Sequence, residues 1–168
     1  MRLSILSALA AAALLAACSS DVPVNDAGGA GSGNTASTTT DSSMTGAAVP
    51  GSPEDFNQNV GNTVYFDLDS YSLTSDAQSQ LQRQAAWLQQ YPQRTLTVEG
   101  HADERGTREY NLALGERRSN SVANYLVALG VDKARLSTIS YGKERPLCTE
   151  SDESCWSQNR RGVSAINQ

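Results

Sequence analysis

Apolar residues run from Leu3 to Ala17 with two serines among them and no ionisable side chain, after a single charge at Arg2. At about 15 residues the run is short of the roughly 20 that span a bilayer as a helix, and small residues rather than basic flanks close it. It reads as a cleaved secretory leader over residues 1–17, not an anchor. From Ser19 to Ser52 the pattern dissolves into glycine, alanine, serine and threonine with scattered aspartate and no aromatic residue, a composition that cannot form a core. Residues 18–55 are therefore expected to be a lipidated N-terminus and flexible linker, whose stretch from Ser19 to Ser52 averages about 30 to 35 Å end to end and reaches at most roughly 115 Å.

Past Phe56 periodicity returns, and both tryptophans, both phenylalanines and every tyrosine fall between there and Trp156. Residues 56–168 are expected to form one domain of about 110 residues, enough for a single core. Thr63 to Phe66 predicts a short strand. Ala77, Leu81, Ala85 and Leu88 recur at helical spacing, with Thr74 as N-cap, Asp76 in the first turn and Pro92 as the stop, so a helix is predicted over 74–91. Thr95 to Glu99 alternates as a strand with Leu96 and Val98 on one face. A second helix is predicted from about Thr107 to Leu129, ending at Gly130. Leu136 to Tyr141 and Gly162 to Ile166 supply two more strands. The order β-α-β-α-β, a looped excursion, then β predicts an α/β (α+β sandwich) fold with helices packed on a four-stranded mixed sheet. No period of 20 to 50 residues repeats, which excludes a solenoid.

The formal charge is −5, and loss of residues 1–17 removes only Arg2 and makes it one unit more negative, a weak argument against nucleic acid. The residues Leu15-Ala16-Ala17-Cys18 resemble the bacterial lipoprotein cleavage box, which implies diacylglycerol on the Cys18 thiol. One acyl chain holds a membrane only weakly, so the two or three chains that the resemblance implies make the anchoring lasting. Ser19 follows; in enterobacterial lipoproteins aspartate there favours inner-membrane retention, so the resemblance implies an outer-membrane anchor with the domain facing the periplasm. Cys148 and Cys155 remain as an even pair in an oxidising compartment, and a disulfide is expected. The alternative is a metal site, against which Thr149 to Ser154 lacks histidine and the spacing matches no zinc ribbon.

The second helix carries an anomaly. Leu114, Arg118, Val122, Leu126 and Leu129 share one face that is otherwise apolar, so Arg118 points inward or to the rim of a cleft. Arg117 shares a polar stripe with Ser121 and Asn124. An arginine among apolar neighbours needs an anionic partner, because an uncompensated buried charge costs several kcal/mol. The internal candidates are Asp103, Asp67 and Asp69; the external one is a ligand carboxylate, with Asp103 left to receive a ligand ammonium. The turn between Asp103 and Thr107 also offers helix N-terminal N–H groups to an anion.

The stretches Val64 to Asp69, Val98 to Thr107, Tyr110-Asn111, Leu114 to Arg118, Ser140 to Glu144 and Asn159 to Arg161 closely resemble the OmpA-like C-terminal domains, and among them the peptidoglycan-associated lipoproteins. The resemblance covers nearly the whole domain. It implies non-covalent binding of the diaminopimelate-containing stem peptide of peptidoglycan, with Asp103 and Arg118 as the charged pair. It further implies polar contacts from Asn111, Thr107 and Arg105, a groove lined by Leu114, and a contribution from Phe66 and Asp67 through backbone. No cofactor is implied. As partners it implies the periplasmic β-propeller TolB and other Tol-Pal components, with a role in drawing the outer membrane to the wall during division. TolB and peptidoglycan would compete for overlapping surface. The sequence departs from the family's commonest form at Arg108, where proline is usual, and in the added Cys148 to Cys155 loop, which is expected to brace the excursion.

Catalysis lacks its parts. Glu99, Asp103 and Glu104 could be taken as paired carboxylates, but there is one histidine, His101, no free thiol once Cys18 is acylated and the other two are joined, and no Gly-x-Ser-x-Gly motif. A binding protein, not an enzyme, is expected.

Overall fold

The computed structural model describes residues 48–167. The leader, Cys18 and the coil up to residue 47 lie outside the described residues.

The fold begins before the expected boundary at residue 56. A single helical turn, α1 (Pro53–Asp55), starts under the Ser52 side chain, which accepts from the Asp55 N–H, and runs into a π-helical turn over Phe56–Val60. Asp55 is buried, and its carboxylate accepts from Gly51 N at 2.8 Å and from the Trp87 indole at 2.9 Å. Composition alone places these residues with the coil; one long-range pairing recruits them to the core.

The remaining elements follow as β1 (Thr63–Tyr65), α2 (Ser75–Gln90), β2 (Leu96–His101), α3 (Arg108–Ala128), a 3-10 turn (Lys133–Arg135), β3 (Leu136–Gly142), α4 (Glu153–Asn159) and β4 (Arg161–Ile166). Thr74 and Thr107 cap α2 and α3, each hydroxyl accepting from the N–H three residues on at 3.2 Å. The excursion expected as loop contains α4, capped by Asp152. Two turns of serine-, acid- and cysteine-rich sequence carry too little periodicity to be read as a helix.

The sheet runs β1-β4-β2-β3, with β2 and β3 parallel and the other pairs antiparallel. Helix α3 packs on β2 and β3, and α2 on β1, which gives the expected two-layer α+β architecture. Between the layers lie Phe56, Leu81, Trp87, Leu88, Leu96, Val98, Val122 and Leu126. Gly100 and Gly115 let β2 and α3 approach so closely that a Cβ on Gly100 would fall 1.8 Å from the Gly115 carbonyl oxygen. The β2–β3 register then shifts between Gly100 and His101. The strand ends at His101, with Ala102 N still donating to the Gly142 carbonyl at 2.8 Å. Among the described residues no helix is long and apolar enough to cross a membrane.

Candidate functional site

The turn that joins β2 to α3 is pinned from several sides. The Asp103 carboxylate accepts from Arg105 N at 3.1 Å, the buried Asn111 amide donates to the Arg105 carbonyl at 2.8 Å, and Gly106 supplies the left-handed backbone at φ 90°. From the end of β3, the Lys143 ammonium donates to the carbonyls of Glu104 and Gly106 at 3.0 and 2.7 Å. Asp103 is thereby held in place from within the turn.

Arg118 is wholly buried, as its position on the apolar face of α3 predicts, while Arg117 is exposed above the Tyr71 ring. Its internal partners correct the expectation. The guanidinium donates to three backbone carbonyls, from Nε to Ser70 at 2.8 Å, from Nη1 to His101 at 2.8 Å and from Nη2 to Asp67 at 3.2 Å. Among the described residues it forms no ion pair within 4.0 Å with Asp103, Asp67 or Asp69. Two chain turns, 67–70 and the end of β2, present carbonyls that the sheet leaves unpaired, and a planar fork is suited to gather them. Burial pushes the guanidinium pKa down to about 10, partly offset by the charge of Asp103, so Arg118 is a cation at neutral pH. A guanidinium has five N–H donors, and these three bonds leave two.

The Asp103 carboxylate is not left free. Oδ2 accepts from Arg105 Nη2 at 2.6 Å and from the buried Arg160 at 3.4 Å. Burial alone would raise its pKa, but the hydrogen bonds and charge of Arg105, with help from Arg160, hold it below the usual carboxylate range.

Asp103, Arg105, Asn111, Leu114 and Arg118 line one cleft of about 270 Å³, together with Leu68, Asp69, Gly106 and Tyr110. The Tyr110 hydroxyl donates to Asp69 at its mouth. Asp69 itself sits at φ 54°, the left-handed conformation that aspartate tolerates better than bulkier residues. Thr107 does not line this cleft; its side chain is used as the α3 cap. Phe66 and Asp67 face a larger neighbouring groove of about 610 Å³ between β1, the start of α2 and the end of α4. They reach the smaller cleft from behind, since the Asp67 carbonyl receives Arg118 and the Phe66 ring lies 5.2 Å from the Arg118 guanidinium carbon. The larger groove is also lined by charges of both signs, Asp67, Asp76, Arg83 and Arg160, of which only Arg160 is buried.

Sequence reasoning missed Arg160, Glu153 and Trp156. Asn159-Arg160-Arg161 stands out as a motif, but nothing local to it shows that Arg160 reaches Asp103 across 57 positions. His101 is buried at the end of β2. Burial, then the charges of Arg161 and Arg145, push its pKa down to about 4, and its Nε2 lies 3.6 Å from a Glu99 carboxylate oxygen. Cys148 and Cys155 are joined, with their Cα atoms 5.3 Å apart.

Comparison with known proteins agrees with this fold. The OmpA family pattern matches residues 65–160, more than half of the chain. The chain is 59% identical over 122 residues to the peptidoglycan-associated lipoprotein of Mesorhizobium japonicum, covering 73% of each chain. With the peptidoglycan-associated lipoprotein of Rhizobium meliloti the identity is 51% over 164 residues, covering 96% of this chain and 86% of that one. The crystal structure of the peptidoglycan-associated lipoprotein from Burkholderia pseudomallei superposes with a TM-score of 0.65 at 42% identity, covering 69% of this chain and all of that one. The C-terminal domain of Helicobacter pylori MotB, at 22% identity, shares the fold with a TM-score of 0.60 over 64% of this chain and 84% of that one. The chain belongs to the OmpA family and, within it, to the peptidoglycan-associated lipoproteins.

Proposed function

We propose that this protein binds peptidoglycan non-covalently in the Asp103–Arg118 cleft, by gripping the diaminopimelate residue of the stem peptide, and so tethers the outer membrane to the cell wall. The observation that carries this reading is Arg118 itself. A buried guanidinium held by three neutral carbonyls, with two N–H donors left over and, among the described residues, no carboxylate within 4.0 Å, is a fixed cation that still lacks an anion. A ligand carboxylate supplies it. Asp103, fixed in the same cleft, supplies the complementary charge for a ligand ammonium, and diaminopimelate carries both groups on one side chain. Asn111, Leu114 and Arg105 border the ligand, Thr107 holds the start of α3, and Phe66 and Asp67 act through the backbone behind Arg118. The relatives' shared name supports peptidoglycan as the target.

The lipid on Cys18 anchors the other end in the outer membrane, and the segment between them is the link. Exchange with TolB, as part of the Tol-Pal system, would alternate a wall-bound state with a mobile one during envelope constriction. No cofactor and no catalytic step enter this scheme.

The test is co-sedimentation with purified diaminopimelate-type sacculi. The domain is expected in the pellet, and is expected to be released from it when TolB is added. A domain that stays in the supernatant overturns the reading; a stable ternary pellet with TolB overturns the exchange.

A further inference from the structure

Asp103 belongs to a closed ring of four charges whose far corner comes from the disulfide-closed excursion. Its Oδ2 pairs with Arg105 at 2.6 Å and Arg160 at 3.4 Å, and both arginines also meet Glu153, Arg160 Nη2 at 2.5 Å and Arg105 Nη2 at 3.8 Å. Two carboxylates and two guanidinia make the ring neutral. Without Glu153, Asp103 would face two cations alone, and the cleft, which already holds Arg118, would gain a net positive charge.

The excursion is built to hold that corner in place. Glu153 opens α4 within the loop that Cys148 and Cys155 close. The Asn159 side chain accepts from Leu147 N and Cys148 N and donates to the Cys148 carbonyl at 2.7 Å, tying the two ends of the excursion together. Trp156 donates from its indole to Glu104 at 2.9 Å, and the Arg105 guanidinium lies 4.2 Å from its ring centroid. One helix thus contacts Glu104, Arg105 and Arg160, the groups on both sides of Asp103.

From this ring we infer that Glu153 is a specificity-determining residue for the cleft: it offsets the two arginines on Asp103 so that the carboxylate keeps attraction for a ligand ammonium. The inference rests on the proposed peptidoglycan reading and assigns it a residue outside the cleft. Charge balance makes a directional prediction that a structural brace does not. Loss of the Glu153 charge weakens ligands that present an ammonium and spares ligands that present only the carboxylate.

The experiment is calorimetric titration of the oxidised domain and its Glu153→Gln variant with two soluble probes: L-Ala–D-Glu–meso-diaminopimelate, and the same tripeptide acetylated on the side-chain amine. Glu153 is well exposed, with 62% of its side chain accessible, so the variant is expected to unfold at the wild-type denaturant concentration. Expected is a loss of about threefold in affinity for the free-amine probe, the scale of a part-exposed ion pair, with affinity for the acetylated probe unchanged or raised. Equal losses for both probes, or no loss for either, overturn the role of Glu153 while leaving the cleft assignment standing. Wild-type protein that binds neither probe overturns the cleft assignment, and this inference falls with it.

Discussion

Arg118 and Asp103 face the same cleft, yet no ion pair within 4.0 Å joins them: the arginine is held by three carbonyls and the aspartate by two other arginines. Two opposite charges kept apart, each fixed by its own scaffold, suit a ligand that bridges them. Had they paired directly, a ligand would first have to break a buried salt bridge at a cost of several kcal/mol.

The same geometry gives Arg118 a structural role beside its proposed role as a ligand contact. Arg118→Ala leaves three carbonyls without their donor and opens a void, so it is expected to destabilise the domain by about 3 kcal/mol or more and to abolish sedimentation with sacculi. Arg118→Lys keeps the charge without the fork; it should recover part of the stability but little of the binding. Arg117→Ala should stay within about 0.5 kcal/mol of wild type and sediment normally. Urea unfolding beside co-sedimentation checks all three. A fully stable Arg118→Ala would contradict the carbonyl anchorage.

His101 predicts a stability slope in mild acid. Its pKa is about 4 in the folded chain against 6.5 for the free side chain, so between these values the unfolded chain takes up a proton that the native one refuses. Stability should therefore fall as the pH drops from about 6.5 to about 4, by an amount on the order of 3 kcal/mol, and this contribution levels off below pH 4. Asp55 and Asp103, both held below their usual range, act at more acid pH, where their protonation removes further stability. Urea midpoints across pH 4 to 7 should show the slope, and His101→Phe should flatten it while keeping the contact with Tyr141. A mutant with the wild-type slope would place the titration elsewhere.

The β2–α3 contact predicts a severe effect from a single methyl group. A Cβ on Gly100 would meet the Gly115 carbonyl, and backbone cannot step aside as a side-chain tip can. Gly100→Ala is expected to cost about 3 kcal/mol or more and to disturb the Asp103 turn that follows. An unchanged Tm would show that strand and helix are less closely seated.

The Cys148–Cys155 loop is short, and chain-entropy arguments give its closure about 2 to 3 kcal/mol. The double Cys148→Ser, Cys155→Ser variant should lose that much in urea unfolding, and wild type in reductant should match it. A variant as stable as the oxidised parent would mean that Asn159 and Trp156 hold the excursion unaided.

Much of this was legible in the chain. Thr74 announces α2 because a cap is a local event, and Arg118 betrays its inward position because spacing by four is a property of one helix. Its partners were not legible. A charged residue on an apolar face asks for a counter-charge, and the chain near it offers only aspartates; that carbonyls of Ser70, Asp67 and His101 would converge depends on two turns brought together by the sheet. Arg160 and Glu153 were hidden for the same reason, being distant in sequence from the carboxylate they serve. Asp55 belongs to the core only through Trp87, more than 30 positions away. Local chemistry reads from local sequence, and the second partner of each long-range pair does not.

The most direct test of the account compares the affinity of the domain for two stem peptides that differ in one group, L-Ala–D-Glu–meso-diaminopimelate and L-Ala–D-Glu–L-Lys. Both carry a side-chain ammonium for Asp103, and only the first carries a side-chain carboxylate for Arg118. The account predicts firm binding of the diaminopimelate peptide and at least about tenfold weaker binding of the lysine peptide, since a charge-assisted hydrogen bond contributes about 1.5 to 3 kcal/mol. Equal affinity for the two would contradict it.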